Sequence, residues 1–152
     1  MLRRATPEDG DAVAEIFRAA RADQAPAIPD LHTPEEHRTF FGAAIREHEV
    51  WVAEQDGQLV GFAFLRGELL SHIYVHPRAQ NRGVGKALLD KTKERLPAGF
   101  TLWTHQPNAQ ARHFYEREGL VPVEFTDGAT NEEQVPDVRY AWLPDSPGSA
   151  AQ

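Results

Sequence analysis

Cysteine is absent from this sequence. Disulfide cross-links are therefore excluded, and so is a thiolate nucleophile. Long hydrophobic runs are missing as well: no segment approaches the ~18 consecutive apolar residues of a membrane-crossing helix. The start, Met1-Leu2-Arg3-Arg4, has no apolar segment of a secretory leader behind it. A cytoplasmic chain with no membrane partner is expected. Positive charge is in deficit, with 16 Lys and Arg against 23 Asp and Glu and a net charge of −7. Binding to nucleic acid needs a basic surface, so no nucleic-acid partner is expected. No H-E-x-x-H segment or Cys/His cluster occurs, and the 7 histidines are scattered. Nothing in the pattern asks for a metal.

What is present is a chain of 152 residues, 41% hydrophobic, enough for one domain with a real core. Its most informative stretch is Leu69 to Leu89, LLSHIYVHPRAQNRGVGKALL. Leu69 to Val75 is apolar and partly β-branched, and reads as a buried strand. Pro77 stops it, because proline cannot donate to a sheet ladder. From Val84 onward, Val84, Ala87, Leu88, Thr92 and Leu96 recur at helical spacing, so a helix begins inside the glycine pair Gly83 and Gly85. The first N–H groups of a helix lack partners and carry partial positive charge. Glycines let a phosphate come close to that backbone, and Arg82 and Lys86 add two cations. The ligand should carry a phosphate or pyrophosphate.

A Walker A loop would need Ser or Thr after the lysine, and position 87 is Ala87. A dinucleotide fingerprint would need a small residue at position 88, which is Leu88. Gln80-Asn81-Arg82-Gly83-Val84-Gly85 does fit Q/R-x-x-G-x-G/A. Downstream, Asn108 to Leu120 reads NAQARHFYEREGL. In order and spacing the two stretches resemble the GCN5-related N-acetyltransferase (GNAT) family. The first resembles its acetyl-CoA loop. The second resembles its N-x-x-A-x-x-F-Y-E-x-x-G-F hallmark, with Leu120 in place of the usual Phe.

Along the chain, Leu2 to Ala5 reads as an edge strand. Thr6-Pro7-Glu8-Asp9 is a helix start, and Val13, Ile16, Phe17 and Ala20 form its buried face. Thr33-Pro34-Glu35-Glu36 is a second start with a capping box; Phe40, Phe41, Ala44 and Ile45 form that helix's buried stripe. Val50 to Glu54 and Gln58 to Leu65 are strands joined at Asp56-Gly57, a two-residue turn. After the central helix, Phe100 to Thr104 is a strand. Asn108 caps a helix over 109–118 that Gly119 ends. Leu120 to Phe125 and Val138 to Leu143 are the last strands, with a polar loop at 126–137. The reading is an α/β (α+β) chain with a central mixed β-sheet flanked by helices on both faces. One domain spans 1–143, and 144–152 is a disordered tail. The order agrees with the GNAT acyl-CoA N-acyltransferase fold, and the resemblance covers most of Met1 to Leu143.

The resemblance implies direct acetyl transfer from acetyl-CoA, a cosubstrate, to a primary amine of a small molecule or peptide, with a homodimer as a common family state. Ile73, Tyr74 and Val75 would pair with the pantetheine arm. Gln80, Asn81, Arg82, Gly83, Val84, Gly85 and Lys86 would hold the pyrophosphate. Asn108 would bond to the pantetheine amide region. Tyr115, which spacing alone reads as a packed aromatic, matches the general acid that protonates the leaving thiolate. The family's carboxylate base falls at Leu69 or Trp103, neither of which takes a proton. Water-mediated deprotonation is expected, with Glu68 and His72 as assistants. Glu132 and Glu133, in the loop at 126–137, would lie at an acidic mouth that draws in a cationic acceptor. The missing base leaves a second reading open, a non-catalytic sensor that binds acyl-CoA.

Overall fold

The computed structural model describes residues 1–144. The expected tail, apart from Pro144, lies outside them. The elements run β1 (Leu2–Arg4), a 3-10 turn (Pro7–Asp9), α1 (Gly10–Gln24), α2 (Pro34–Glu47), β2 (Glu49–Gln55), β3 (Gln58–Arg66) and β4 (Leu69–Val75). A second 3-10 turn (Pro77–Ala79) precedes α3 (Val84–Arg95), β5 (Phe100–His105), α4 (Ala109–Arg117), β6 (Val121–Phe125) and β7 (Asp137–Trp142). Local chemistry explains most boundaries. Asp56 and Gly57 both take positive φ, 54° and 78°, and close the β2–β3 hairpin. Thr33 Oγ1 accepts from the Glu36 N–H at 3.1 Å, and Glu36 Oε1 accepts from the Thr33 N–H at 2.7 Å. That is a complete capping box at the start of α2.

The seven strands form one sheet in the order β1-β2-β3-β4-β5-β7-β6. Neighbours are antiparallel except β4 and β5. Period-2 alternation sends the two sides of β3 into two cores. Phe62 and Phe64 join Val13, Ile16, Phe17 and Phe41 under α1 and α2. Ala63 and Leu65 join Leu70, Leu88, Leu89 and Leu102 under α3. Gly61 lets α3 approach closely, since a Cβ there would lie 3.1 Å from Leu88 Cδ1 and Val84 Cγ1.

Two expected buried stripes need correction. Phe40 is 48% exposed, whereas His37, with Phe41, Ala44 and Ile45, is buried. His37 tolerates burial because its Nε2 lies 2.9 Å from each oxygen of Asp30. Phe40 stands at the edge of the stripe and walls a cavity instead. On α3, Ala87 faces solvent and Leu89 takes the buried place.

Candidate active site

The parallel strands β4 and β5 meet at one register pair, Leu69 with Thr101. Beyond it they splay. His76 N–H donates to Val60 O at 2.7 Å, which fixes the alternation along β4. The N–H and C=O groups of Val75 and Ile73 therefore point away from β3, into the gap. Strand β4 thus offers a backbone edge with no strand beside it there among the described residues, the geometry that accepts an extended ligand as an added strand. Ser71 is the extra residue of a bulge, lying between the pairs Phe64–His72 and Leu65–Leu70.

At the end of β4 the chain turns through Pro77–Ala79 into the glycine loop. Gln80 Nε2 donates to Val75 O at 3.2 Å and ties the loop to the strand. Gly83 is the α3 N-cap at φ 81°, with no side chain to occupy the first-turn N–H groups. A cavity of about 370 Å³ lies against these elements, lined by Ile73, Tyr74, Val75, Gly83, Phe114 and Tyr115 among others. Asn81 and Gly85 also line it. Val84 is buried in the core beneath.

Neither expected cation lines this cavity. Lys86 Nζ lies 3.2 Å from both Asp90 Oδ2 and Glu118 Oε1, which raise its pKa and hold it on the outer side of α3. Arg82 is exposed and does not line the cavity.

Helix α4 closes the other side. Asn108 Oδ1 accepts from the Ala111 N–H at 3.1 Å, so this side chain caps the helix and its amide nitrogen remains for a ligand. Tyr115 is buried and packs its ring, tilted, against Phe114 and Tyr140 at centroid distances of 5.5 and 5.8 Å. Burial pushes its phenol pKa well up, so the group is a neutral proton carrier at pH 7. Tyr115 lines the loop cavity and also a second cavity of about 240 Å³ within the β4–β5 gap. A third cavity, about 310 Å³, continues outward between α1, α2 and the loop at 126–136, floored by Phe17, Phe40, Phe41 and Tyr74. Arg21, His72, Tyr74, His105 and Glu133 belong to both the second and the third.

The chain's likenesses agree with this architecture. The sequence model of the acetyltransferase (GNAT) domain matches residues 46–121, half of the chain. The chain belongs to the GNAT family. Peptidyl-lysine N-acetyltransferase YiaC of Escherichia coli is 36% identical over 93 residues, 60% of this GNAT chain and 62% of its own length. The chain thus spans less than two thirds of that relative. The solution structure of apo-form YjaB from Escherichia coli superposes with a TM-score of 0.78 at 22% identity, over 94% of this chain and 97% of that one. A structure of yncA from Salmonella typhimurium with its cofactor acetyl-CoA superposes at 0.73 and 18% identity, over 96% and 94%. The mixed sheet with helices on both faces is the GNAT fold.

Within this GNAT site, neither residue proposed to assist deprotonation is suited to it. Glu68 is exposed in the β3–β4 turn and lines none of the three cavities. His72 is ringed by Phe17, Phe40, Phe41, Phe64 and Tyr74. Desolvation lowers its pKa to about 4, so it is a poor proton acceptor near neutrality. Glu132 and Glu133 do reach the outer cavity, each against a histidine: Glu132 contacts His32, and Glu133 Oε1 lies 3.3 Å from His105 Nε2. His105 escaped the sequence reading. The signal available was only its place two residues beyond Trp103 on the same strand, hence on the same face.

Proposed function

We propose that this chain is an N-acetyltransferase that moves the acetyl group of acetyl-CoA directly to a primary amine of a peptide or small molecule. One observation carries the reading: the β4–β5 gap joins a phosphate-suited loop to an acid-lined cavity, with Tyr115 between them. The pyrophosphate sits on the first-turn N–H groups of α3, and the pantetheine arm pairs with Ile73 and Val75 along the β4 edge that faces the gap. Asn108 bonds to that arm with its free amide nitrogen.

The thioester then lies in the gap beside Tyr115. An amine entering from the outer cavity attacks its carbonyl, the C–S bond breaks, and the Tyr115 hydroxyl protonates the thiolate. The backbone N–H of Val75 supplies a hydrogen bond to the carbonyl oxygen as charge develops there. The outer cavity has an aromatic floor and carboxylates at Glu36, Glu132 and Glu133, which suits an ammonium on an apolar stem. The name of YiaC, a peptidyl-lysine acetyltransferase, points the same way. The test is a screen of primary amines and lysine peptides with acetyl-CoA, reading free CoA. Steady, amine-dependent release is expected. Binding of acetyl-CoA without release in any mixture would overturn the transferase reading.

A further inference from the structure

We infer that Glu133 is the proton acceptor for the incoming amine and that His105 is the residue that positions it. This rests on the acetyltransferase reading above. An amine must lose its proton before it attacks, and the two strand positions at which the family resemblance implies a carboxylate hold Leu69 and Trp103 here. The loop between β6 and β7 supplies one from another direction. Glu133 lines both the gap cavity and the outer cavity, at the junction that the amine must cross to reach the thioester.

The other carboxylates there are engaged. Asp137 accepts from Thr126 Oγ1 and from Asn131 Nδ2. Asp30 holds His37, Glu36 caps Thr33, and Glu132 contacts His32. Glu133 lies against His105, with Nε2 3.3 Å from Oε1. His105 Nδ1 is buried with no hydrogen-bond partner among the described residues. A proton on Nδ1 would be a buried donor without an acceptor, so the neutral ring carries it on Nε2, facing Glu133. With that proton His105 faces one oxygen of Glu133, and the second oxygen takes the proton of the amine.

The other titratable groups facing the pair are Arg21 of α1, His72 and Tyr74 of β4, Tyr115 of α4 and Asp137 of β7. Arg21 lines both cavities, with its Nη2 bonded to Pro29 O at 2.8 Å. Burial holds His72, Tyr74 and Tyr115 neutral at pH 7. In the outer cavity the remaining groups are His32, His37, Asp30, Glu36 and Glu132, paired as described.

The protons balance. R–NH3⁺ gives one proton to the Glu133 carboxylate, which later releases it to solvent through the outer cavity. The neutral amine forms the C–N bond, the C–S bond breaks, and Tyr115 protonates the sulfur. The second nitrogen proton restores Tyr115 through cavity water. The products are the amide, free CoA and one proton.

The test compares wild type, Glu133→Gln, Glu133→Asp and His105→Asn on two acceptors: a lysine peptide with a blocked N-terminus, and the same peptide bearing an alkoxyamine, neutral at pH 7. With the lysine peptide, Glu133→Gln should lower kcat by ~10²–10⁴-fold, with KM changed less than about threefold. The acid limb of kcat/KM should move towards the pKa of the amine itself. With the alkoxyamine the loss should shrink below about tenfold. His105→Asn and Glu133→Asp should lose less, with the same preference for the neutral acceptor. An acetyl-CoA-induced Tm shift equal to that of wild type shows each variant folded. Equal losses on both acceptors, or a change confined to KM, would overturn the proton-acceptor role. No CoA release by wild type itself would overturn the transferase reading on which it stands.

Discussion

Leu69 and Thr101 are the last point at which the two parallel strands of the sheet hold together. A second link at the same end, Thr101 N–H to Glu68 O at 3.0 Å, anchors the fork. From there β4 and β5 diverge, and every feature assigned to ligand binding lies along or beyond the opening. Acetyl-CoA should fill it and raise the Tm, because a ligand that binds only the folded state stabilises it. At 100 times its Kd the shift corresponds to about 2.7 kcal/mol. ATP and NAD, which lack the pantetheine arm, should shift the Tm far less. A thermal melt with each compound settles the comparison.

Gly83→Ala should weaken both the fold and the loop. No atom would meet the new Cβ, but φ is 81°, where an L-residue is strained. The cost is about 1–2 kcal/mol, or a Tm lower by about 2–8 °C for a chain of this size. The acetyl-CoA Kd should rise alongside, measured by calorimetry. Gly85→Ala meets only ordinary contacts, 3.5 Å from Phe114 and 3.7 Å from Val75, and should melt closer to wild type.

Tyr115→Phe keeps the ring packed against Phe114 and Tyr140 and removes only the hydroxyl. Acetyl-CoA affinity should hold while kcat drops ~10²–10⁴-fold. Single-turnover kinetics isolate the chemical step. An unchanged rate there would make Tyr115 a packing residue.

His72 should make stability fall with acid. Its folded pKa of about 4 lies below the ordinary 6.5, so the unfolded chain binds more protons than the folded one between those values. The stabilisation is complete above pH 6.5 and is lost as the pH falls towards 4. At full effect it amounts to about 3 kcal/mol. In urea melts from pH 7 to 4, His72→Phe should lose less stability than wild type by up to that amount. Parallel losses would show that protonated His72 is hydrated through the cavity.

Glu132→Gln should act on binding. Its contact with His32 joins the loop after β6 to the segment before α2, across the outer cavity. Acceptor KM should rise a few-fold and its salt dependence should weaken, with kcat unchanged. A fall in kcat at constant KM would place Glu132 in the chemistry.

Local chemistry was legible in the sequence wherever it is decided by neighbours in the chain. The run from Leu69 to Val75 is a strand with those bounds, α3 starts at Val84, and Asn108 caps α4. These follow from period, glycine φ and side-chain capping, which act over a few residues. Partners distant in the chain were not legible. The helical period puts Phe40 and Phe41 side by side, but only the position of α2 over the cavity leaves Phe40 exposed and buries His37 on Asp30. Lys86 follows Gly85 in the chain, and only the fold brings Glu118 to within 3.2 Å of it.

The family, the order of elements, the glycine loop and Tyr115 are written in contiguous residues, whose spacing sets local backbone geometry. Where β4 parts from β5, which cations are already paired, and the meeting of His105 with Glu133 depend on long-range packing. Strand β5 carries His105 beside β7 through the pair His105–Asp137, and the loop entering β7 folds Glu133 back onto it. That contact follows from sheet pairing and loop closure between segments far apart in the chain, and no local pattern encodes it.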